Sequence, residues 1–421
     1  MKVLIINQCA TNKGDRAVLF FLLKELVRNG VDDITVSTTN PHYWADLRGF
    51  PEGLVRFVRF GWSISSKRRK QAGPLGEVVL RIKRGIYANI CFPLVRRALL
   101  RGVCPWYIRF LCTKEYWQAV SRADLVMSTG GHRVTTLLVR DAVFPATFDM
   151  AIVLLRHKPL VLWSQSIGPL KFRRQENRMM IKMILSSAWR ILIRDKVSEE
   201  ELSKIGVSME NVSQTRESVF GLVDIVENPK KPSDREHIMG ISVYMAQKRS
   251  YEDNEVYVNS ISAVVDHAAE NGYSVRFFPM EMSGADRPCI EQIIERCRNR
   301  RICSIVEGYP ETVEHIAGVA QCRIFIGHKT HSVVFALTTG TPLIAIAYHE
   351  KTEDFMGQFG LGEYCIPEAQ ADGSKLIELF SKVSSSLDEI SERELKCSHE
   401  AGSRVREDFR KVIEDARRGF E

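Results

Sequence analysis

The sequence lacks both an apolar run long enough to cross a membrane and a recognisable secretory leader. A spanning helix needs about 18 consecutive apolar residues, whereas the apolar stretch 151–155 already stops at Arg156. The apolar start of the chain ends at Asn7 and Gln8, too early for the hydrophobic region of a signal peptide. We therefore expect a cytoplasmic protein.

Metal-binding cysteine patterns are also missing, although the chain contains ten cysteines. No two of them are spaced as C-x-x-C, which is the spacing typical of zinc sites. We therefore expect reduced thiols in a reducing cytoplasm, and we predict no structural disulfide, no metal site and no bound cofactor.

Acidic residues are nearly absent from one segment of the chain. Between Arg56 and Arg109 there are 13 Lys and Arg residues and a single acid, Glu77. The formal net charge of the chain is +8, yet the remainder holds 46 basic and 50 acidic residues. A positive surplus confined to one segment indicates a local anionic partner rather than a general solubility device.

Strand and helix patterns alternate along most of the chain, which predicts parallel sheets. A polar, proline-bearing linker near residue 230 separates two such series. We predict an α/β fold of two Rossmann-like domains facing a cleft, as in glycosyltransferases of the B type. The predicted boundaries are residues 1–228 for the N-terminal domain with a basic helical insertion over about 56–116, residues 236–372 for the C-terminal domain, and residues 373–421 for a charged helical tail.

The stretch 324–348 has the most distinctive pattern of the chain. It predicts a buried strand, a turn at Gly327, a short helix and a second buried strand, and the turn carries His328, Lys329 and His331. Ligands of open α/β sheets bind beyond the carboxyl ends of the strands, so a cation and two imidazoles there are placed for chemistry. The alternative is that they are ordinary loop residues that cap a helix.

A polar loop follows the first predicted strand. Residues 12–15 lead into a helix predicted from Arg16 to about Arg28, with Asp15 as its N-cap and Gly30 at its end. Backbone amides at a helix N-terminus favour anions. The loop matches neither a dinucleotide fingerprint nor a Walker loop, so it predicts an anion site without nucleotide specificity or a plain turn.

Two further strand ends carry glycine. Gly130 and Gly131 follow one predicted strand, and Ser166 and Gly168 follow the next. Glycine at a strand end lets a ligand approach the backbone closely.

A third strand runs directly into Arg194 and Asp195, and Ser198 with Glu201 is predicted to form a capping box behind them. Arg194 is thereby fixed between a strand end and a helix start. It is either a ligand-binding cation or the partner of Asp195 in a structural pair.

In the basic segment, aromatic residues interleave with Lys and Arg. The basic run 67–70 precedes a stretch, 78–100, that mixes apolar and basic residues at helical spacing, with Trp62, Trp106 and Tyr107 around it. Such a segment suits an anionic membrane surface or a lipid-linked substrate, which would place the protein at the inner membrane face. The alternatives are a helical insertion with a solvated face and nucleic-acid binding. Of these, we do not expect a nucleic-acid partner.

Taken in chain order, five groups of residues resemble the motifs of the polysaccharide pyruvyl transferase family. They are Asn12-Lys13-Gly14-Asp15, Gly130-Gly131, Ser166-Ile167-Gly168-Pro169, Arg194-Asp195 with Ser198 and Leu202, and Gly327-His328-Lys329-Thr330-His331 with Gly340-Thr341-Pro342, Tyr348 and Lys351. The resemblance covers about residues 1–365 apart from the basic segment. Each motif alone is weak, whereas five in order are specific.

The resemblance implies a transferase that moves a pyruvyl group from phosphoenolpyruvate to a sugar of a cell-surface polysaccharide or its lipid-linked precursor, forming a pyruvate ketal. It implies Arg194 and Lys329 as cations for the donor phosphate and carboxylate, and His331 as the acid–base group. The implied substrate-binding residues are Asn12, Gly14, Asp15, Gly130, Gly131, Arg133, Ser166, Gly168, His328, Tyr348 and Lys351. Phosphate leaves with charge stabilisation rather than a metal.

The sequence departs from the family pattern at two places. Lys329 stands where the family has arginine, and lysine cannot form a bidentate fork. His132 and Arg133 stand where further glycine is usual, which leaves open a different donor or acceptor, or a compensating role for Arg133 or His328. The alternative functions are a nucleotide-sugar-dependent glycosyltransferase of the B type and a non-catalytic member of the same fold.

Overall fold

The computed structural model describes residues 1–8, 12–38, 41–44, 47–59, 78, 82, 85–136, 146–244, 251–281, 284–307 and 311–419. These residues form two compact units. Unit 1 comprises Met1–Ala10, Val18–Ser218 and Arg404–Glu421, and unit 2 comprises Thr11–Ala17 and Val219–Ser403. The basic run 67–70 and Trp62 lie outside the described residues.

Unit 1 is built around a parallel sheet of buried, β-branched strands. Its strands are β1 (Lys2–Gln8), β2 (Asp33–Thr38), β3 (Val55–Arg59), β4 (Leu125–Ser128), β5 (Gly131–Val134), β6 (Leu160–Ile167), β7 (Arg190–Ile193) and β8 (Val212–Gln214). Within the described residues their order is β3-β2-β1-β4-β6-β7-β8, with β5 also paired to β6. The direction of winding reverses between β1 and β4, and ligands of such sheets bind beyond the carboxyl ends at that point.

Helices cover this sheet. They are α1 (Lys13–Arg28), α2 (Phe92–Leu100), α3 (Lys114–Arg122), α4 (Ala146–Leu155), α5 (Gln175–Ser186) and α6 (Lys196–Ile205), with a π-helical turn at Tyr87–Cys91 and 3-10 turns at Pro41–Trp44 and Trp106–Leu111. The first residues of α1, up to Ala17, belong to unit 2.

Unit 2 repeats the architecture with a second parallel sheet. Its strands are β9 (Ile238–Ser242), β10 (Ser274–Phe277), β11 (Cys303–Ile305), β12 (Ile324–Gly327), β13 (Leu343–Ala347) and β14 (Cys365–Pro367). The order β11-β10-β9-β12-β13-β14 is that of a doubly wound Rossmann sheet, with its reversal between β9 and β12. Two parallel-sheet α/β domains confirm the predicted fold class.

The helices of unit 2 follow its strands. They are α7 (Tyr251–Glu270), α8 (Arg287–Arg296), α9 (Thr312–Ala320), α10 (Thr330–Thr339), α11 (Glu350–Gln358), α12 (Gly373–Ser384) and the long α13 (Leu387–Arg418), whose last residues from Arg404 belong to unit 1. Short 3-10 turns lie at Ser218–Ile225, Pro232–Asp234, Arg300–Ile302, Gly362–Tyr364 and Glu368–Gln370.

The division into units differs from the predicted boundaries near residue 228. The segment before the polar linker belongs to unit 2, because Phe220 is buried with its ring centroid 5.1 Å from that of Phe359 and 6.2 Å from that of Phe355. Directly after the linker the chain is packed again, since the buried Arg235 donates hydrogen bonds to Cys322 O (2.9 Å) and Thr341 Oγ1 (3.0 Å).

The predicted basic insertion is corrected at its start. Residues 55–59 form the edge strand β3, which pairs in parallel with β2. Its two exposed residues, Arg56 and Arg59, are both charged, as is usual for a strand at the edge of a sheet. Further on, Phe92, Val95 and Ile108 are buried in the core of unit 1, so this part of the insertion is an integral layer of the domain.

Among the described residues, no helix is long and apolar enough to cross a membrane. Nine cysteines lie in the described ranges and all nine are free thiols.

Candidate functional site

The turn after β12 brings several predicted residues together. Strand β12 ends at Gly327. The turn that follows consists of His328 and Lys329, and His331 lies in the first turn of α10. Because the winding of the sheet reverses between β9 and β12, this turn occupies the position where such sheets bind ligands.

Lys329 is held by two carboxylates. Its Nζ lies 2.9 Å from Asp286 Oδ1 and 3.2 Å from Glu281 Oε1. The Asp286 side chain is 2% exposed and that of Glu281 is 26% exposed, so the first partner is fixed and the second is within reach of solvent. The charge of the predicted donor-binding lysine is therefore compensated in this structure.

The N-terminal motif reaches the same place. Asn12 Nδ2 donates a hydrogen bond to Glu281 Oε1 (2.7 Å), and Lys13 N donates to Met280 O (2.9 Å). Asn12 Oδ1 accepts from Gly14 N (2.8 Å), as an N-cap does. The predicted cap Asp15 is therefore wrong: α1 begins three residues earlier than expected, and Asp15 lies in its first turn.

His331 packs directly on the start of α1. A Cβ atom at Gly14 would overlap the His331 imidazole, so only glycine lets the ring approach the helix backbone this closely. His331 is itself the second residue of α10, and the N-terminal turns of α1 and α10 thus meet at its ring. Helix N-termini favour negative charge, which makes this place electrostatically suited to an anion.

Buried basic groups line the other side of the α1 N-terminus. Lys13 is 3% exposed, and burial followed by the charge of Arg16 lowers its pKa from 10.5 to about 8. Arg16 forms an ion pair with Glu311 (3.1 Å). His315 is buried nearby, and burial followed by the charge of Lys13 lowers its pKa from 6.5 to about 3, so its imidazole is neutral at neutral pH.

His328 organises a second group of side chains. Its buried ring places Nδ1 2.9 Å from the Tyr257 hydroxyl and Nε2 3.8 Å from Glu368 Oε2. The Tyr348 ring stacks on Tyr244, with centroids 4.4 Å apart. His328 therefore positions neighbouring polar groups rather than presenting its own nitrogens to solvent.

An open cavity of about 530 Å³ lies beyond the carboxyl ends of β13 and β14. Its polar lining includes Asp253, Tyr257, Tyr348 and Glu368. Lys351, in the first turn of α11, is half-buried, and its backbone N–H donates to the capping His349 Nδ1 (3.3 Å).

In unit 1 the glycine turns lie side by side at the strand ends. Residue Gly131 of β5 pairs with β6, and the His132 ring contacts the Gly168 carbonyl oxygen. A Cβ atom at Gly130 would come within 3.2 Å of the Ser164 carbonyl oxygen, and one at Gly168 would overlap Glu201. Gly168 is therefore required by close packing of the protein itself, and Gly130 lies in a tight contact. Arg133 is half-buried in β5.

Arg194 is a buried, compensated cation. It is ion-paired with Glu217, and its Nε donates to Ser166 Oγ (2.8 Å). Asp195 caps α6 by accepting from Ser198 N (2.9 Å), and Ser166 links it to Arg194, because Ser166 Oγ accepts from Arg194 Nε and donates to Asp195. The predicted Ser198–Glu201 capping box is wrong, because α6 begins at Lys196 and Asp195, not Ser198, is its N-cap.

The predicted site residues fall into two groups. Unit 1 holds Gly130, Gly131, Arg133, Ser166, Gly168 and Arg194, and unit 2 holds Asn12, Gly14, Asp15, His328, Lys329, His331, Tyr348 and Lys351. Among the described residues, no cluster of three or more His, Cys, Asp or Glu side chains could hold a metal ion.

Sequence reasoning missed the acidic partners of both cations. Glu281 and Asp286 follow β10, so the same rule about carboxyl ends of strands that singled out Lys329 could have found them. Glu217 and Glu368 also follow strands, β8 and β14, but the sequence pattern predicts neither of these short strands, and Tyr257 lies inside helix α7.

Comparison with known proteins places this chain in a family. The chain is 23% identical over 423 residues to the amylovoran biosynthesis protein AmsJ of Erwinia amylovora, covering 94% of each. Among solved structures it is similar to HepE from Anabaena in complex with UDP-glucose (TM-score 0.57, 13% identity, 99% of this chain and 100% of that one). It is also similar to the UDP-GlcNAc 2-epimerase from Neisseria meningitidis bound to UDP-GlcNAc (TM-score 0.59, 11% identity, 98% and 100%).

These structural likenesses confirm the predicted GT-B-like fold. A family model described as polysaccharide pyruvyl transferase matches residues 12–350, a range that runs from Asn12 past His331 and Tyr348. The chain belongs to the polysaccharide pyruvyl transferase family.

Proposed function

We propose that this protein transfers a pyruvyl group from phosphoenolpyruvate to two hydroxyls of one sugar in a cell-surface polysaccharide or its lipid-linked precursor. The products are a pyruvate ketal and inorganic phosphate. Membership of the family supports the transferase class, and the similarity to a protein of amylovoran biosynthesis supports a role in polysaccharide synthesis.

One observation carries the proposal. The family match begins at Asn12, and the fold brings that residue together with Lys329, some 300 positions later, through their shared partner Glu281. Gly14 of the same motif contacts His331. Residues from the two ends of the match thus lie together in the fold. Such clustering is expected of a ligand site and not of motifs that serve local structure alone.

Donor binding is proposed at the two helix N-termini that meet at His331. Phosphoenolpyruvate carries a phosphate and a carboxylate, which suit backbone amides at helix starts and the ammonium of Lys329. An anion that binds Lys329 has to replace a carboxylate, and Glu281 is the partner that can leave because it is the more exposed. Arg194 is proposed to hold Ser166 and Asp195 in place, since Glu217 already balances its charge.

His331 is the proposed group for proton transfer. One acceptor hydroxyl adds to C2 of phosphoenolpyruvate as C3 gains a proton and becomes a methyl group. The second hydroxyl then replaces phosphate at C2, and its proton leaves with the phosphate. Two hydroxyl protons are thus accounted for, one on C3 and one on phosphate, and a half-buried imidazole suits such transfers.

The acceptor sugar is proposed to occupy the cavity beside Tyr348. Carboxylate and tyrosine oxygens accept hydrogen bonds from sugar hydroxyls, and an aromatic face covers the apolar side of a sugar ring. Asp253 and Glu368 make the cavity lining acidic, which disfavours the anionic donor there. The acidic cavity and the helix N-termini thereby separate acceptor from donor by charge.

Calorimetric titration of phosphoenolpyruvate tests the donor site. We expect saturable binding to the wild type, strong weakening in Lys329→Ala and retention in Lys329→Arg, because arginine restores the cation. His331→Ala should bind the donor but release no phosphate in the presence of an acceptor. Lys375→Ala and His237→Ala change exposed residues of unit 2 and serve as matched controls.

Absence of binding at millimolar phosphoenolpyruvate would overturn the proposal. The same titration with UDP-sugars separates the remaining functions. Saturable binding of a nucleotide sugar would favour a glycosyltransferase, and binding of neither donor would favour a non-catalytic member of the family.

A further inference from the structure

An apolar stripe is exposed along the basic segment. Val78, Ile82, Ile86 and Ile90 follow one another at four-residue intervals, and all four are in helical conformation. Their exposed fractions are 54%, 57%, 38% and 55%. Four large apolar side chains are thus exposed within 13 residues of sequence, and we call them the apolar stripe.

A second exposed group lies a short distance along the chain. Trp106 and Phe110 are 75% and 58% exposed, and their rings are in edge contact with centroids 5.9 Å apart. The Arg109 guanidinium lies 4.6 Å above the Phe110 ring. Arg97 and Arg101 are exposed as well. Aromatic side chains next to arginine at the surface are typical of proteins that sit in a lipid headgroup layer.

The exposure of these residues does not arise from a loosely attached segment. Phe92, Val95, Leu99 and Ile108, from the same stretch, are buried in the core of unit 1. The inner face of the segment is thus anchored in the domain, while its outer face presents isoleucine, tryptophan and phenylalanine to solvent. Large apolar side chains that a well-packed segment keeps exposed to water indicate a surface that binds a partner.

Charge identifies the partner. Between Val78 and Lys114 the sequence contains eight Lys and Arg residues and no Asp or Glu. A second copy of the chain would bring the same positive charge to the interface, which opposes dimerisation through this face. A duplex nucleic acid would match the charge but would not cover isoleucines. An anionic lipid surface satisfies both features.

We propose that residues 85–114, together with Val78 and Ile82, dock unit 1 on a membrane surface rich in anionic lipid, and we name these residues the interfacial segment. The apolar stripe and the Trp106–Phe110 pair enter the boundary between headgroups and acyl chains, and the arginines contact lipid phosphates. The protein is thereby held on one leaflet without crossing it.

Vesicle co-sedimentation tests the docking. Wild-type protein is mixed with phosphatidylcholine vesicles and with vesicles that also contain phosphatidylglycerol. We expect binding to the second kind, and a fall in the partition coefficient of about tenfold or more in Ile82→Ser/Ile86→Ser/Ile90→Ser, because three apolar side chains no longer enter the lipid. Arg97→Gln/Arg101→Gln/Arg109→Gln should weaken binding to anionic vesicles and reduce its salt dependence.

Matched controls change the same kinds of residue elsewhere. Met179→Ser/Val197→Ser removes two other exposed apolar side chains, and Arg300→Gln/Arg301→Gln/Lys375→Gln removes three exposed charges in unit 2. Both controls should bind vesicles as the wild type does. Circular dichroism of each variant confirms that the fold is retained.

Three outcomes would overturn the proposal. The first is no binding of wild type to anionic vesicles. The second is equal loss in the interfacial and control variants. The third is a dimer, or a complex with a duplex RNA probe, that the isoleucine variant abolishes while vesicles remain unbound.

The proposal does not depend on the donor chemistry. Phosphate release with a water-soluble sugar acceptor should be the same in the isoleucine variant and the wild type. If the wild type turns over normally but does not bind vesicles, the docking proposal alone is overturned. If it binds vesicles but not the donor, the proposed reaction alone is overturned.

Discussion

Gly14 shows how a single missing Cβ atom shapes the site. We predict that Gly14→Ala destabilises the protein by about 1–3 kcal/mol, the usual cost of overpacking a close contact, because the new methyl group would overlap the His331 ring. The displaced imidazole should also lower turnover. Urea unfolding and phosphate release measure the two effects.

A double-mutant cycle makes this prediction specific. Removing the ring in Gly14→Ala/His331→Ala should recover part of the lost stability, because the overlap with the ring disappears and only the close contact with the Cβ atom of residue 331 remains. Gly357→Ala is the matched control, since a Cβ atom there meets nothing within 4 Å, and it should stabilise α11 by about 0.5–1 kcal/mol. Strictly additive effects of the two site mutations would contradict the overlap.

The buried His315 should make the stability of the protein sensitive to acid. Neither of its ring nitrogens has a hydrogen-bond partner within the described part of the chain, and its pKa is lowered to about 3. Below about pH 6.5 the imidazole is protonated in the unfolded chain but stays neutral in the folded state. The contribution of His315 to the free energy of unfolding is therefore complete above that pH and is lost as pH falls towards 3. The loss should reach about 2 kcal/mol by pH 5.

Replacing the imidazole tests the sign. In His315→Leu the free energy of unfolding should fall less between pH 7 and pH 5 than in the wild type. His237→Gln, which removes an exposed imidazole, should leave the pH dependence unchanged. A steeper acid dependence in His315→Leu would contradict the neutral state of the buried ring.

At the scale of elements, Asp195 joins a helix cap to the neighbouring strand end. It caps α6 and also accepts from Ser166 Oγ, so Asp195→Ala removes both. We predict a loss of about 2 kcal/mol, against about 1 kcal/mol for a plain cap. Asp372→Ala, at the cap of α12, supplies that plain cap for comparison, because Asp372 accepts from Lys375 N (2.9 Å) in the first turn of its own helix.

Donor titration separates the two roles of Asp195. Phosphoenolpyruvate binding should weaken in Asp195→Ala, because Ser166 and its partner Arg194 lose their common anchor, and should be unchanged in Asp372→Ala. Equal stability losses and unchanged binding in both variants would reduce Asp195 to an ordinary cap.

Strands were the most predictable elements. Runs such as the one at Ile324 are continuous and β-branched because both faces of a parallel sheet are buried. Helix starts were less predictable, since Asn12 and Asp15 are both good caps in sequence. In the fold Asn12 is the cap, since its Oδ1 accepts from Gly14 N, and its Nδ2 is bound to Glu281, 269 residues away.

At the scale of the whole molecule, the two-domain fold class followed from alternation alone, whereas the boundaries did not. Composition marks polar linkers, but the division is decided by apolar contacts such as that between Phe220 and Phe359. The acidic partners of Lys329 and Arg194 were hidden for the same reason, because charge pairing across distant segments leaves no local pattern. Motifs therefore identified the positions of the candidate site better than the state of its charges.

The C-terminal helix α13 packs an aromatic side chain into the core of unit 1. Its residue Phe409 is fully buried in unit 1, with its ring centroid 5.0 Å from that of Trp163 and 5.9 Å from that of Phe21. Phe409→Ala should cost about 3–5 kcal/mol, as for other buried phenylalanines. Phe110→Ala, which removes a mostly exposed ring, should change stability by less than about 0.5 kcal/mol.

The form of the transition tests how the units unfold. Helices α1 and α13 each supply residues to both units, so melting unit 1 interrupts two helices of unit 2. Because helices form cooperatively, we expect one calorimetric transition, shifted as a whole in Phe409→Ala, with tryptophan fluorescence and far-UV circular dichroism changing together. Two separate transitions, of which the variant shifts only one, would show that the shared helices do not couple the units.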